Sequence, residues 1–395
     1  MLKKLTMDGA IYYCLLGYAF VSSISIAASN FFVSLAGLLA IYLYIKKPYK
    51  IELNRGLGIA VGIFMVAVAI SAIAAYQPIN TLDRLWAYLY RMLPLVLAVA
   101  FIKTRQRLVM ALVIMAISII ISDGYAIWQG IGGDFKAKAF SAHSMIFAGY
   151  LIQMIPLAAV IGLKSNLLGK RAHALMIGAI TLSMVALVFN GTRGAWIAIA
   201  VTFIVYGLLN LKRDFKAIAG ILAVLMIFGV LFASNNQIKE RFNSIADMSN
   251  QSNSERVLMW RSAWNMFLDH PITGVGAGNY PKQYQTRYIL PEAKERMQGH
   301  PHNNFLNTMA ETGIVGCLAF VYMFGYILVY FFRRRGGDNE GGIMAMAAFL
   351  VTVSLLVQGM TEYNYGDSAV IRMYWFIIGL AYAGKAISSE NKISQ

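Results

Sequence analysis

Apolar runs of about the length that carries a helix across a bilayer repeat along nearly the whole chain. Twelve can be counted, at 9–29, 30–45, 57–76, 87–102, 108–128, 144–163, 173–190, 194–211, 217–234, 304–332, 342–362 and 369–387. They lack the alternation of a half-buried strand, so they read as helices that are apolar all round. The pattern predicts an all-α polytopic membrane protein with about 12 transmembrane helices. One long polar stretch breaks it. Residues 1–233 would hold nine spans, 234–303 a loop domain on one side of the membrane, and 304–395 the last three spans and a tail. The first run is long and is followed at once by the second, so it reads as a retained span and not as a cleaved signal.

Within the loop domain the period changes. From Ser254, a fitting N-cap, to Leu268 the aromatics Trp260, Trp264 and Phe267 recur at i, i+4 and i+7. That spacing predicts an amphipathic helix suited to the membrane surface. Residues 281–299 mix Lys282, Arg287, Lys294 and Arg296 with Glu292 and Glu295, which reads as a solvated, helical lid.

Composition agrees with the pattern: 58% of residues are hydrophobic and only 13% charged. Basic residues gather in alternate connections, at Lys46-Lys47, Lys103 to Arg107, Lys170-Arg171, Lys212-Arg213 and Arg333-Arg334-Arg335. The positive-inside rule then orients both termini to the cytoplasm and the loop domain to the exterior. Orientation accounts for the net charge of +16, and no nucleic-acid partner is called for. Cys14 and Cys317 both fall in spans, which excludes a disulfide framework and a thiolate metal cluster.

The densest chemistry lies where the loop domain meets the tenth span, in His300-Pro301-His302-Asn303-Asn304. A histidine at the membrane end of a helix can take a proton from a water-borne hydroxyl beside a lipid-borne substrate. Alternatively, His302 or Asn303 only caps the helix. Arg193 opens a span after the tight turn Asn190-Gly191-Thr192, where its guanidinium adds to the positive end of the helix dipole and suits phosphate. Arg256 and Arg261 would form a second outer basic cluster. Arg91 lies inside the fourth span, where it lines a cavity, pairs with Asp83 or reaches the interface. His143 and His173 read as loop residues, and Glu362 and Asp367 as a hydrated turn that could also orient a sugar. No clustered carboxylate motif appears, and His300 and His302 would share a cation only in an extended backbone, so neither a metal nor another cofactor is expected. With no ATP outside the cytoplasm, the donor must arrive activated, as a lipid-linked sugar diphosphate does.

His302-Asn303, nine residues, Gly313, two residues, Gly316 resembles the H-[NSQ]-x9-G-x-x-[GTY] signature of the O-antigen ligase family. That family sits in a superfamily with O-antigen polymerases and protein O-oligosaccharyltransferases. Arg193 in Thr-Arg-Gly and Arg256 in Glu-Arg-x-x-x-Trp resemble the family's two functional arginines. The resemblance implies a GT-C-like, metal-independent, inverting glycosyltransferase of the bacterial inner membrane. Its donor would be an undecaprenyl-diphosphate-linked glycan and its acceptor a hydroxyl of lipid A core or of another glycan or protein. In that reading His302 is the general base and Arg193 and Arg256 hold the diphosphate, with Arg91 a further candidate. His300, Asn303 and Arg261 are auxiliary candidates. A polymerase of the same superfamily is the nearest alternative and a transporter a more distant one.

Overall fold

The computed structural model describes residues 6–163, 167–210, 229, 236–245 and 247–393. All regular structure among the described residues is helical. The helices are α1 (Met7–Val21), α2 (Ile26–Lys46), α3 (Arg55–Ile70, continued by a 3₁₀ turn, Ser71–Ala74), α4 (Pro78–Phe101), α5 (Arg105–Ile131), α6 (Ser144–Leu163), α7 (Lys170–Asn190) and α8 (Arg193–Asn210). Then come α9 (Asn236–Asn243), α10 (Gln251–Asp269), α11 (Tyr280–Gln283), α12 (Asn304–Phe332), α13 (Glu340–Gln358) and α14 (Ser368–Ile393). Ten of these are long and apolar enough to cross a membrane, and α1 is a shorter apolar helix. Ten of the twelve expected spans therefore have a helix of membrane length and the first has only the shorter α1; the one at 217–234 lies, apart from residue 229, outside the described residues.

Two boundaries differ from expectation. The first two spans divide at Ser22–Ser25, not at residue 29, because Ser25 caps α2 by accepting from the Ala28 N–H (3.2 Å). Ser23 meanwhile bonds Ser118 (2.7 Å) and Ser122 (2.9 Å) of α5. The fourth span begins with Pro78 at its first turn, a position where a missing N–H costs nothing. Asp83 and Arg84, expected at the opening of the span, thus stand in its second turn.

Helices α6, α13 and α14 form the buried centre of the bundle, with α4 packed along α14. The periphery, such as α2 with Phe31, Leu38 and Ile45 outward, presents apolar side chains where lipid would solvate them. Arg372 is buried in the first turns of α14, where it donates to the Ser368 carbonyl, Asn30 and Ser29. It ties α14 to the start of α2.

A second, smaller core joins the loop domain to the bundle. Along α10 the buried positions are Glu255, Met259, Ser262, Ala263 and Met266, the i, i+4, i+7 stripe of a helix packed on one side. Met259, Ala263 and Met266 meet Tyr280, Tyr284, Tyr288 and Ala310. Asn250, not Ser254, caps this helix. The aromatic stripe read as suited to the membrane surface is not the face buried against the protein. Only 280–288 of the lid is helical, α11 running into a single π-turn at Tyr284–Tyr288. Three tyrosines at i, i+4 and i+8 hold it down, so it is not a solvated helix.

At Gly313, α12 kinks, with φ 62° and ψ −163°. A β-carbon there would lie 2.3 Å from the Ile272 carbonyl group. The close approach is used: Val275 and Gly276 N–H groups donate to the freed carbonyls of Ala310 and Glu311 (both 2.9 Å), and Ile314 donates to Pro271 (2.8 Å). The first glycine of the signature is thus where the loop domain docks onto the bundle.

Candidate active site

The N-terminal ends of α4, α6, α8, α12 and α14 lie at one end of the bundle, together with the loop domain. The basic connections, where Arg107 pairs with Asp8 (2.6 Å) and Arg105 with Glu340 (3.3 Å), are at the other. Five helix termini with their positive dipole ends gathered together suit an anion.

The polar run before α12 divides its labour. Asn303 is the cap: its side-chain oxygen accepts from the N–H groups of Phe305 (2.9 Å) and Leu306 (3.0 Å), and its amide donates to the Met360 carbonyl (2.8 Å). Asn304 donates its side-chain amide to Asn364 (2.7 Å) and accepts from the Tyr365 N–H (3.1 Å). Both asparagines fasten α12 to the turn between α13 and α14. His302 is freed from capping. Its backbone is left-handed, φ 50°, a strained conformation of the kind held at functional sites by surrounding structure.

His302 Nδ1 lies 3.1 and 3.0 Å from the two carboxylate oxygens of Glu362. A carboxylate can only accept, so Nδ1 is the donor in this bond, and in the neutral ring that leaves the lone pair on Nε2. Burial by itself raises the Glu362 carboxyl, but the hydrogen bond and charge of His302, with His300 and Arg256, hold it below the usual carboxylate value. His300 is half-buried beside them, and its partial desolvation lowers it to about 4. Its Nδ1 accepts from the His302 N–H (3.3 Å). The left-handed turn, not an extended backbone, brings the two rings to 4.5 Å between centroids. Ligand atoms of His300, His302 and Glu362 all lie within 4.8 Å of one another, so the trio has the donor set of a divalent-cation site although the sequence spacing argued against one.

The Glu-Arg-x-x-x-Trp run explains itself around this loop. Glu255 is buried and accepts from the N–H groups of Lys294 (3.0 Å) and Glu295 (3.1 Å). Trp260 donates to the Pro301 carbonyl (2.9 Å). Between them Arg256 faces the site, its guanidinium 3.8 Å from Glu362. Arg193 donates to the Ser244 hydroxyl (3.0 Å) and carbonyl, and Arg241 of α9 donates through Nε to the Gly191 carbonyl (2.9 Å). Burial and the nearby Arg256 lower Arg241. Arg193, Arg241 and Arg256 thus form one cationic cluster, linked to the base through Glu362.

Beside it opens a cavity of about 550 Å³ lined by Arg84, His143, His300, His302, Glu362 and Asp367, among others. Arg91 does not reach it. Two helical turns deeper, it is buried, with a guanidinium nitrogen 3.5 Å from the Tyr365 carbonyl and the group set over the Tyr88 ring. Arg84 takes its place at the cavity. Arg261 also turns away, onto an exposed groove on the next face of α10. It does not join Arg256 in a cluster.

Sequence reasoning missed Arg84, Arg241 and the role of Glu362. The signal for Arg84 was present: a second arginine in the helix with Arg91, nearer its N-terminal end. Glu362 was legible only as a turn residue, since its partner is sixty positions away.

Residues 177–321 match the family model described as O-antigen ligase. That stretch includes Arg193, Arg241, Arg256, His302, Gly313 and Gly316, but neither Arg84 nor Glu362. The chain is similar to a putative polysaccharide ligase of Rickettsia felis, 24% identical over 254 residues, covering 62% of this chain and 58% of the relative. It is 28% identical to an O-antigen ligase of Salmonella typhimurium over 167 residues, 40% of this chain and 41% of the relative. A teichuronic acid biosynthesis protein of Bacillus subtilis is 25% identical over 206 residues, 49% of this chain and 41% of the relative. The chain spans about half the length of the curated relatives it matches.

Proposed function

We propose that this chain, which belongs to the O-antigen ligase family, transfers a glycan from a polyprenyl-diphosphate donor to an acceptor hydroxyl on the outer face of the bacterial inner membrane. The observation that carries the reading is His302, its Nδ1 bonded to Glu362 and its Nε2 left free, beside the cationic cluster of Arg193, Arg241 and Arg256. His302 Nε2 removes the acceptor proton as the hydroxyl oxygen forms its bond to the anomeric carbon. The bond from that carbon to the diphosphate oxygen breaks, and the lipid diphosphate leaves as an anion held by the arginines. The electron pair of the broken bond stays on the phosphate oxygen, and the anomeric configuration inverts. Arginine suits the leaving group because its planar fork binds phosphate oxygens in pairs. Stabilising charge as it develops is the larger part of such catalysis, and the base adds about 10²–10⁴-fold.

Undecaprenyl diphosphate is the donor lipid this reading assigns, and lipid A core or another glycan the acceptor. Both termini would face the cytoplasm. The test uses purified enzyme with an undecaprenyl-diphosphate-linked glycan and lipid A core. His302→Ala should bind donor normally and lose transfer by at least about 10²-fold, with wild-type product inverted at the anomeric carbon. An active His302→Ala enzyme, or a retained configuration, overturns the mechanism. Product that grows as a ladder on the donor lipid, with lipid A core unmodified, would make the enzyme a polymerase.

A further inference from the structure

The exposed side of α10 carries a groove that the transfer chemistry does not use. It has a volume of about 500 Å³ and runs between α10, the segment around Leu290 and the start of α12. Trp260, Arg261, Trp264, Asn265, Glu292 and Leu306 are among its walls. That volume is within the ~300–1,000 Å³ of small-ligand sites. Trp264 is 46% exposed although the same helix buries Met259, Ala263 and Met266 on another face. Arg261, Asn265 and Glu292 stand exposed around the indoles.

This combination fits a saccharide. The C–H face of a pyranose ring is apolar and stacks on an aromatic face, while its hydroxyls need donors and acceptors at the rim. Arginine, asparagine and glutamate side chains supply both in planar pairs. A purely lipid-facing surface would explain the tryptophans but not the three polar side chains among them.

The two ends of the groove identify which saccharide. At one end Trp260 is bonded to Pro301, the neighbour of the base, and Leu306 lies on the first turn of α12. At the other, α10 continues into exposed Leu268 and Ile272, at 57% and 64%. Backbone bonds seat Pro271 and Ile272 against Ile314 and Val315 of α12, and the exposed apolar surface goes on to Leu318. The groove therefore starts beside the loop that holds His302, and exposed apolar side chains continue from the far end of α10 toward α12, on a side of α10 that Arg193, Arg241 and Arg256 do not line. In the donor, the diphosphate separates the glycan from the lipid and must sit on those arginines. A molecule ordered as hydroxyl, sugars, then lipid fits the path instead.

We propose that the α10 groove is an acceptor subsite, binding the sugars of a membrane-anchored glycolipid by stacking on Trp264 and Trp260 and by hydrogen bonds to Arg261, Asn265 and Glu292. This rests on the transfer reading of His302 for its direction, but its test is a binding measurement. The full-length protein in nanodiscs is titrated with radiolabelled lipid A core and, separately, with its delipidated oligosaccharide. Trp264→Ala should weaken both about tenfold, Trp264→Phe should stay near wild type, and donor KM should not move. Loss of glycolipid binding alone, with the oligosaccharide unaffected, would make the groove a lipid site and overturn the proposal. So would a shift in donor KM, no effect of Trp264→Ala, or no saturable binding of either probe to the wild type. His302→Ala separates the two readings: it should bind both probes and transfer donor glycan to neither. If it transfers, the base assignment fails while the binding result stands.

Discussion

Glu362→Gln keeps the shape and one hydrogen-bond acceptor behind His302 but removes the charge. In the wild type both carboxylate oxygens lie within 3.1 Å of Nδ1, in a buried setting. As Nε2 takes the acceptor proton the ring becomes cationic, and an opposite charge about 4 Å from its centre is worth about 4 kcal/mol at an effective dielectric near 20. The acceptor that glutamine retains recovers about 1 kcal/mol. The remaining ~3 kcal/mol corresponds to about 10²-fold in kcat. Donor affinity should move the other way or not at all, because Arg256, 3.8 Å from Glu362, is released to the diphosphate. The assay is single-turnover transfer by purified protein, with donor binding measured separately. A Glu362→Gln enzyme within about fivefold of wild type would refute the charge argument. Weakened donor binding with normal turnover would mean that Glu362 acts by positioning Arg256.

Other expectations follow from the same geometry. Arg241→Gln should raise donor KM and weaken inhibition by inorganic pyrophosphate several-fold while leaving kcat within about threefold; unchanged pyrophosphate inhibition would return Arg241 to anchoring the Gly191 turn. Gly313→Ala, with φ 62° and a β-carbon meeting the Ile272 carbonyl at 2.3 Å, should cost about 1–3 kcal/mol and lower the melting temperature, and a wild-type melting curve would refute the close approach. His300 is lowered from 6.5 to about 4, so the fold binds its proton less readily than the unfolded chain does. Its share of stability is complete above pH 6.5 and is lost as pH falls toward 4, by at most about 3 kcal/mol, and His300→Asn should flatten the melting temperature over that window. Transfer should survive excess chelator, and added zinc should inhibit it by capturing His300, His302 and Glu362, which lie within ligand reach of one another; activity lost to chelator and restored by a divalent ion would instead make the trio a working metal site.

Transmembrane character and the all-helical class were legible in the sequence because each is a one-dimensional property. A bilayer demands about 20 apolar residues per helix whatever its neighbours are, and a break such as 234–303 is visible at once. The two glycines of the signature and the pair His302 and Asn303 were legible as a motif, and Arg193 and Arg256 by position at helix and loop. What only the tertiary structure decided is which of these share a site. His302 and Asn303 compete for the same role until the cap bonds to Phe305 and Leu306 assign it to Asn303. Arg91 and Arg84 lie on one face of one helix, and only the depth at which α4 packs against α14 sends the first into the aromatic core and the second to the cavity. Glu362 reaches His302, and Arg241 reaches the Gly191 turn, across sixty and fifty residues of chain. Periodicity reports which face of a helix is apolar, but which side chains meet across helices is set by packing that no local pattern encodes.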